Sequence, residues 1–200
     1  MANIWRIYGE YMANKGRCNK SMIPNLRDVG KTVNRICGQD IMNEGLLYRS
    51  GTVNKLADES ELPDVQTILN LRTEEDHVFP SKRQLHIPAI DSAGNYLTLN
   101  GTVRGWVNKV IESICKDRIF PLLLHCTYGK DRTGIITAMI LLAIDIGPPV
   151  IIEEYMQTEG LTSDGDVRLA LKEFGVVEEY LYDKELIAFL KNTLLKDFPV

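Results

Sequence analysis

The stretch LLLHCTYGKDRTGIITAMI, residues 122–140, decides the fold, because it passes from one apolar run through a short polar loop into a second apolar run. The first run is typical of a buried strand, and the longer second run is typical of a buried helix. A loop at such a junction lies at the edge of a sheet, where a rigid scaffold can hold reactive side chains. We therefore expect the chemistry of the protein among the residues of this loop.

Four short runs, each apolar or alternating and bounded by Gly, Pro or Asn, predict strands. They are LLYRS (residues 46–50), TILNL (67–71), LHIPA (85–89) and PLLLHC (121–126). Between the last two runs, apolar residues recur at helical spacing over residues 103–115, which predicts an amphipathic helix. A helix of this length is the crossover that two parallel strands need.

From Gly134 onward the apolar pattern is helical, and another apolar stripe covers residues 186–194. Neither a repeat, a low-complexity tract nor a Pro/Gly/Ser linker divides the chain. The sequence therefore predicts a single α/β domain. Its central sheet is expected to be mixed, mostly parallel and of four to five strands, flanked by helices, with a helical C-terminal half.

The composition limits the class of protein. A chain of 200 residues, 44% of them hydrophobic, can bury one core. The net charge of −4 argues against a nucleic-acid binder with a broad basic face, since affinity for the phosphate backbone needs many Lys and Arg contacts. The four cysteines form no Cys-x-x-Cys pair, which favours a reducing, cytoplasmic compartment. They are Cys18, Cys37, Cys115 and Cys126.

The sequence also predicts a soluble protein with no integral membrane segment. Its start, MANIWRIYGEYMANKGR, lacks the apolar region of a secretory signal. The longest apolar run, residues 135–146, is interrupted by polar residues and is too short to span a bilayer. The oligomeric state is left open.

Cys126 and Arg132 stand in a Cys-x5-Arg frame between the predicted strand and the predicted helix. Loop amides that turn inward, together with the positive end of the helix dipole, form a concave site for a tetrahedral dianion. Arg132 adds a planar fork that pairs with two phosphate oxygens and keeps its charge. The same positive field stabilises a thiolate at Cys126, which can attack a bound phosphate.

Three further loop residues fit this interpretation. Gly129 and Gly134 suit a loop that folds its amides inward, because glycine accepts a positive φ and a close backbone approach. The hydroxyl of Thr133 can donate to the sulfur and ease its departure when a phosphocysteine intermediate is hydrolysed.

The loop HCTYGKDRTG, residues 125–134, is similar to the signature of the cysteine-dependent tyrosine and dual-specificity phosphatases, His-Cys-x-x-Gly-x-x-Arg-Thr-Gly. The pair Lys130-Asp131 resembles the branch of that family that also acts on phosphoinositides. At Lys31 the sequence departs from that branch, which usually has a second Gly at this position. Three further stretches resemble the branch. They are NLRDVGK (25–31), LLYRSGTVNKL (46–56) and IEEYMQT (152–158).

The resemblance covers residues 25–160 and implies a tyrosine phosphatase-like catalytic domain over residues 25–200, with residues 1–24 an unassigned N-terminal extension. It implies a metal-independent hydrolase without a cofactor, acting on phosphotyrosine proteins, phosphoinositides or both. His125 would position the backbone of the cysteine. The residues expected to bind substrate are Thr127, Tyr128, Gly129, Lys130 and Gly134, with Lys130 reading a second phosphate or an acidic head group.

A phosphatase of this kind needs a carboxylate that protonates the leaving oxygen and later deprotonates water. Asp91 follows a predicted strand, at about the distance upstream of the cysteine where dual-specificity phosphatases carry their acid. Asp131 matches the acid proposed within the loop of lipid-active relatives. We favour Asp91 as the acid, with Asp131 orienting the loop or reading the substrate, and keep Asp131 as the alternative.

Several alternatives stay open. The chain could be a phosphate-binding scaffold without turnover, or an arsenate or sulfur-transfer enzyme with a similar Cys loop. Cys18 or Cys37 could protect an oxidised Cys126. The four polar residues of the family-like stretches, Arg27, Asp28, Arg49 and Ser50, could equally be buried pairs that brace the sheet. His77 and His86 lack the spacing of metal ligands, so no metal site is predicted.

Overall fold

The computed structural model describes residues 23–117 and 119–196. Most of the N-terminal extension predicted over residues 1–24, and Cys18 with it, therefore lies outside the described residues. The strands are β1 (Arg27–Asp28), β2 (Leu47–Ser50), β3 (Thr67–Asn70), β4 (Arg83–His86) and β5 (Leu122–His125). The helices are α1 (Val29–Cys37), α2 (Gly101–Lys116), α3 (Asp131–Ala143), α4 (Pro148–Met156), α5 (Gly165–Phe174), α6 (Val177–Tyr180) and α7 (Glu185–Leu194).

The strands form one five-stranded sheet in the order β1-β2-β5-β3-β4. β1 is antiparallel to β2, and the other neighbouring pairs are parallel. The mixed, mostly parallel α/β fold predicted from the sequence is thus confirmed. In the register of the central strands, Ser50 of β2 and Asn70 of β3 both lie opposite His125, the last residue of β5. The carboxyl ends of three parallel strands therefore meet where the Cys loop begins.

Strand β5 carries side chains into two separate cores, because successive residues of a strand point to opposite faces. Leu122 and Leu124 pack into the larger core, which contains buried residues of all seven helices. Leu123 packs into a smaller cluster on the other face, together with Ile68 of β3 and with residues of the loops. The buried members of that cluster are Ile23, Val53, Leu56, Leu62, Val65, Ile68, Phe79 and Leu123.

Helix α3 is buried on nearly all sides, as expected for a helix that crosses the centre of a core. The sequence pattern predicted a helix from Gly134 onward, but α3 begins three residues earlier, at Asp131. The difference arises because the polar residues of the first turn face the Cys loop, where the amides of a helix N-terminus have no partner within the helix. Arg132 and Thr133 therefore belong to both the loop and the helix.

The predicted strand over residues 85–89 is observed as β4, which starts at Arg83 and ends at His86. Pro88 has no amide hydrogen for a sheet ladder, which accounts for the earlier end. The predicted helix over residues 103–115 is observed as α2. Lys31 lies in the first turn of α1, where its amide donates to the N-cap carboxylate of Asp28 at 3.1 Å. The lysine is accommodated there without a second glycine.

In the part of the chain that the structure describes, no helix is both long enough and apolar enough to cross a membrane.

Candidate active site

The Cys loop connects β5 to α3 and lies at the carboxyl edge of the parallel strands. Three successive carbonyl groups of this loop accept hydrogen bonds from outside it. The Thr127 oxygen accepts from the amide of Thr52 at 3.0 Å, the Tyr128 oxygen from Asn25 Nδ2 at 2.8 Å, and the Gly129 oxygen from Arg49 Nη2 at 2.9 Å. In a trans peptide the N–H points away from the C=O, so the amides that follow these carbonyls point to the inner side of the loop.

Gly129 is required by the backbone of the loop. Its φ is +70°, a left-handed backbone conformation that residues with a Cβ rarely adopt. A Cβ at this position would also lie 2.4 Å from the carbonyl carbon of Ser50 on β2. The loop therefore packs on the end of β2 as closely as its backbone allows. Gly134 is constrained in a different way, since a Cβ there would lie 2.7 Å from the ring of Tyr155.

A buried ion-pair network holds the loop from behind. Arg49 is fully buried, and its Nη1 donates to Glu154 of α4 at 2.6 Å while its Nη2 donates to Gly129. The other carboxylate oxygen of Glu154 accepts from Arg27 Nε at 2.7 Å, and Arg27 also donates to Thr158 at 3.0 Å. Arg27 and Arg49 thus brace the structure, as one of the two interpretations of the sequence predicted.

The charges of this network balance only in part, since two guanidinium groups share one carboxylate. Burial alone would raise the pKa of Glu154, but Arg49 and Arg27 outweigh the burial and hold the pKa below its ordinary value of 4.5. Glu154 is therefore an anion near neutral pH although its side chain is 1% exposed.

Arg132 lies under the loop with its side chain 1% exposed. Its Nη1 donates to the carbonyl of Ala89 at 3.1 Å, and its Nη2 donates to Thr127 Oγ1 at 3.1 Å and contacts Asp91 Oδ2 at 2.9 Å. Its Nε is buried and has no hydrogen-bond partner among the described residues. The guanidinium is thus fixed in place and still has a donor to offer.

Cys126 is buried at the start of the loop, and Thr133 is fully buried in the first turn of α3. The Thr133 hydroxyl has no hydrogen-bond partner among the described residues, so it can serve as a donor. Cys37 ends α1, and Cys115 lies in α2 among core residues. Burial raises the pKa of Cys115 to about 12, so this second buried cysteine stays a thiol.

The two candidate acids have different surroundings. Asp91 lies in the loop after β4, with its side chain 55% exposed and in contact with Arg132. Asp131 is 28% exposed, and its Oδ1 accepts from the hydroxyl of Tyr96 at 2.6 Å and lies 4.0 Å from Lys130 Nζ. The Tyr96 hydroxyl also contacts the Tyr155 hydroxyl at 2.6 Å. Burial, with the neighbouring hydrogen bonds to Asp131 and Tyr155, raises the pKa of Tyr96, so this phenol stays protonated.

His125 precedes the cysteine and is fully buried. Its Nε2 lies 2.6 Å from Asp76 Oδ2, and its Nδ1 lies 3.4 Å from the carbonyl oxygen of Cys126. Arg72 donates to the other oxygen of Asp76 at 3.3 Å and to Thr52 Oγ1 at 3.0 Å. Arg72 is therefore part of the support around the loop.

The structure brings the predicted loop residues and both candidate acids together at one edge of the sheet. Tyr128 is 66% exposed at the rim, and Lys130 is 34% exposed beside Asp131. The positions of Asp76, Tyr96 and Glu154 around the loop were not predicted from the sequence. Glu154 lies in the stretch 152–158 that resembles the phosphatase family, and this resemblance could have indicated it. Asp76 lies in an acidic run that is typical of a solvated loop.

Replacing Glu154 by Gln is expected to lower the free energy of unfolding by about 3–5 kcal/mol near neutral pH, because it leaves buried guanidinium charges uncompensated. Since the pKa of Glu154 is lowered by folding, its contribution is fully present above about pH 4.5 and is lost as the pH falls through the lower folded value. Denaturant unfolding against pH should therefore show the two proteins converging in acid. Glu153→Gln, at an exposed neighbour on α4, is the control, and a constant difference at every pH would contradict the assignment.

Gly129→Ala is expected to weaken binding of inorganic phosphate or vanadate by about tenfold or more, because the added Cβ strains the backbone and displaces the loop from β2. Isothermal titration calorimetry measures this affinity. The matched control is Gly105→Ala in α2, where a Cβ meets nothing within 4 Å. Affinity equal to that of the wild type in Gly129→Ala would show that the loop does not need glycine here.

The comparisons with known proteins agree with this geometry. A model described as "Tyrosine phosphatase family" matches residues 19–179. The triple specificity protein phosphatase PtpB of Mycobacterium tuberculosis is 34% identical over 68 residues, which are 34% of this chain and 24% of that protein. This match spans about a quarter of the length of that relative.

Two solved structures share the fold at low sequence identity. The crystal structure of DUSP15 has a TM-score of 0.53 and 18% identity, covering 76% of this chain and 95% of that chain. The Siw14 catalytic core has a TM-score of 0.50 and 16% identity, covering 76% of this chain and 89% of that chain. These likenesses show the fold, whereas the family model covers most of the chain, including the Cys loop, and on that match the protein belongs to the tyrosine phosphatase family.

Proposed function

We propose that the protein is a metal-independent phosphatase that hydrolyses phosphate monoesters through a phosphocysteine intermediate, with residues 25–200 as its catalytic domain. The observation that carries the proposal is the orientation of the Cys loop. Thr127, Tyr128 and Gly129 have their carbonyls bound on the outside, which leaves inward amides above the buried guanidinium of Arg132. Such an arrangement binds a dianion and stabilises the charge of its transition state.

In the first step, the Cys126 thiolate attacks phosphorus, the S–P bond forms, and the bond from phosphorus to the leaving oxygen breaks. Arg132 and the loop amides hold the three equatorial oxygens. The leaving oxygen takes a proton from the general acid. In the second step, the same residue accepts a proton from water as the water attacks phosphorus, and the thiolate departs. The Thr133 hydroxyl, which needs a partner, donates to the departing sulfur.

Asp91 suits the role of the acid better than Asp131 does. Tyr96 stays a hydrogen-bond donor because its pKa is raised, and its hydroxyl already occupies Oδ1 of Asp131 and holds that carboxylate in place. Asp91 lies half-exposed at the mouth of the site and contacts Arg132 at 2.9 Å. When a phosphate occupies the fork of Arg132, Asp91 is released next to the leaving oxygen. Asp131 then orients the loop.

The substrate is proposed to be a phosphotyrosine protein, a phosphoinositide or both. Tyr128 stands exposed at the rim, where it can pack against an aromatic side chain or a sugar ring. Lys130 can pair with a second phosphate, since it is partly exposed beside the loop. The relative PtpB is described as a triple specificity protein phosphatase, which fits a site that accepts several phosphate esters.

We expect phosphate release from a phosphotyrosine peptide, a phosphoserine peptide or a phosphoinositide to persist in EDTA and to be abolished by Cys126→Ser. The measurement is a malachite-green assay over the three substrate classes. Cys115→Ser, at the buried cysteine of α2, is the control for loss of a thiol elsewhere. A wild-type protein that binds a phosphorylated ligand but releases no phosphate would be a phosphate-binding scaffold. Turnover of arsenate or of a sulfur donor alone would identify an arsenate or sulfur-transfer enzyme.

The two acids can be separated by the dependence of rate on the leaving group. Asp91→Asn should lower kcat for an alkyl phosphate by about 100- to 10,000-fold and lower kcat for p-nitrophenyl phosphate much less, because p-nitrophenolate leaves without a proton. Asp131→Asn should reduce the rates for both esters by a similar factor. Steady-state kinetics of the two variants on both esters checks the assignment, and the reverse pattern would make Asp131 the acid.

A further inference from the structure

Asp76 is a buried carboxylate that the reaction proposed above does not use. It lies in the loop between β3 and β4, at the end of the acidic run TEED, residues 73–76. Glu74 of the same run is 64% exposed, whereas the side chain of Asp76 is 1% exposed. Burying a carboxylate costs free energy unless its partners compensate the charge, so the contacts of Asp76 indicate its role.

Three groups face the carboxylate, and one of them is the side-chain amide of Asn54, which in the orientation that satisfies its neighbours donates to Oδ1 at 3.0 Å. His125 Nε2 lies 2.6 Å from Oδ2, and Arg72 Nη1 donates to Oδ1 at 3.3 Å. Arg72 also pairs with Glu74 at 3.3 Å, so one guanidinium faces two carboxylates. Arg72 therefore supplies one positive charge to two carboxylates, and Asp76, the buried one of the two, also has His125 as a partner.

The two nitrogens of His125 face oxygen atoms that can only accept. One is the carboxylate of Asp76, and the other is the carbonyl of Cys126, 3.4 Å from Nδ1. A neutral imidazole has a single N–H and would point a lone pair at one of these oxygens. The imidazolium form donates to both, so the geometry favours a charged ring.

We propose that Asp76 is a positioning residue that keeps His125 in its imidazolium form and thereby supports the thiolate of Cys126. His125 ends β5 and directly precedes Cys126, so a positive charge on its ring lies beside the sulfur-bearing residue. The inference rests on the proposed role of Cys126 as the nucleophile. The other titratable groups around the ring are Arg72 and Glu74, which pair as described, and His86, whose Nε2 contacts the carbonyl of Arg72 at 2.8 Å.

The test measures the thiolate itself. The ultraviolet absorbance of each protein, minus that of the same protein carrying Cys126→Ser, gives the fraction of Cys126 that is ionised at each pH. Asp76→Asn keeps the size of the side chain and removes its charge. The thiolate fraction at about pH 6 is expected to fall about tenfold in this variant. An unchanged titration would overturn the proposal.

Two further variants separate charge from structure. In a protein that carries His125→Asn, adding Asp76→Asn should produce no further loss of thiolate, because Asp76 acts through the ring; an equal loss in that background would overturn the proposal. Asp76→Glu keeps the charge and should retain most of the thiolate, whereas a loss as large as in Asp76→Asn would show that only shape matters. Glu75→Gln, at the exposed neighbouring carboxylate, is the matched control and should titrate as the wild type. Thermal unfolding confirms that each variant is folded.

This measurement does not depend on turnover. A wild-type protein that forms the thiolate but hydrolyses no phosphate ester would overturn the proposed function and leave the role of Asp76 standing. Turnover by the wild type, together with an unchanged thiolate titration in Asp76→Asn, would support the proposed function and overturn the role of Asp76.

Discussion

The ion pair of Arg49 and Glu154 joins the sheet to the helices directly behind the Cys loop. Arg49 projects from β2 and Glu154 projects from α4. Arg49 Nη1 donates to Glu154, and its Nη2 donates to the carbonyl of Gly129. A loop with its amides turned inward is strained unless its carbonyls find donors elsewhere. Arg49 supplies this donor for Gly129, as Thr52 and Asn25 do for the two preceding carbonyls, and of the three donors it is the one that is also paired with a buried carboxylate.

The chain has a net charge of −4, yet two buried arginines lie at the Cys loop. Each of them is paired with one carboxylate. Arg49 faces Glu154 on the side away from the loop, and Arg132 faces Asp91 at the mouth. In the proposed reaction the phosphate replaces Asp91, which is half-exposed, as the partner of Arg132, whereas Glu154 is buried and stays paired with Arg49. The structural and the exchangeable ion pair are thereby separated by burial.

Much of the fold and of the loop could be predicted from the sequence, because both depend on local patterns. The apolar runs predicted the strands near the site, and the Cys-x5-Arg frame with its two glycines predicted where the loop lies that we propose to bind phosphate. The start of α3 was placed too late, since polar residues in a first helical turn resemble a loop. Asp76 and Tyr96 could not be predicted, because their roles arise from contacts across 49 and 35 residues of sequence. Burial of an acidic residue has no sequence signal of its own.

The helices all pack on one face of the sheet, and loops cover the other. Because β5 contributes Leu122 and Leu124 to the first face and Leu123 to the second, the strand is anchored twice. The smaller, loop-covered core buries fewer apolar side chains than the larger one, so we expect it to be the first of the two faces to open. Asn25 and Thr52, which donate to two carbonyls of the Cys loop, lie beside Ile23 and Val53 of that smaller core, so partial unfolding that begins there would release the loop before the helices separate.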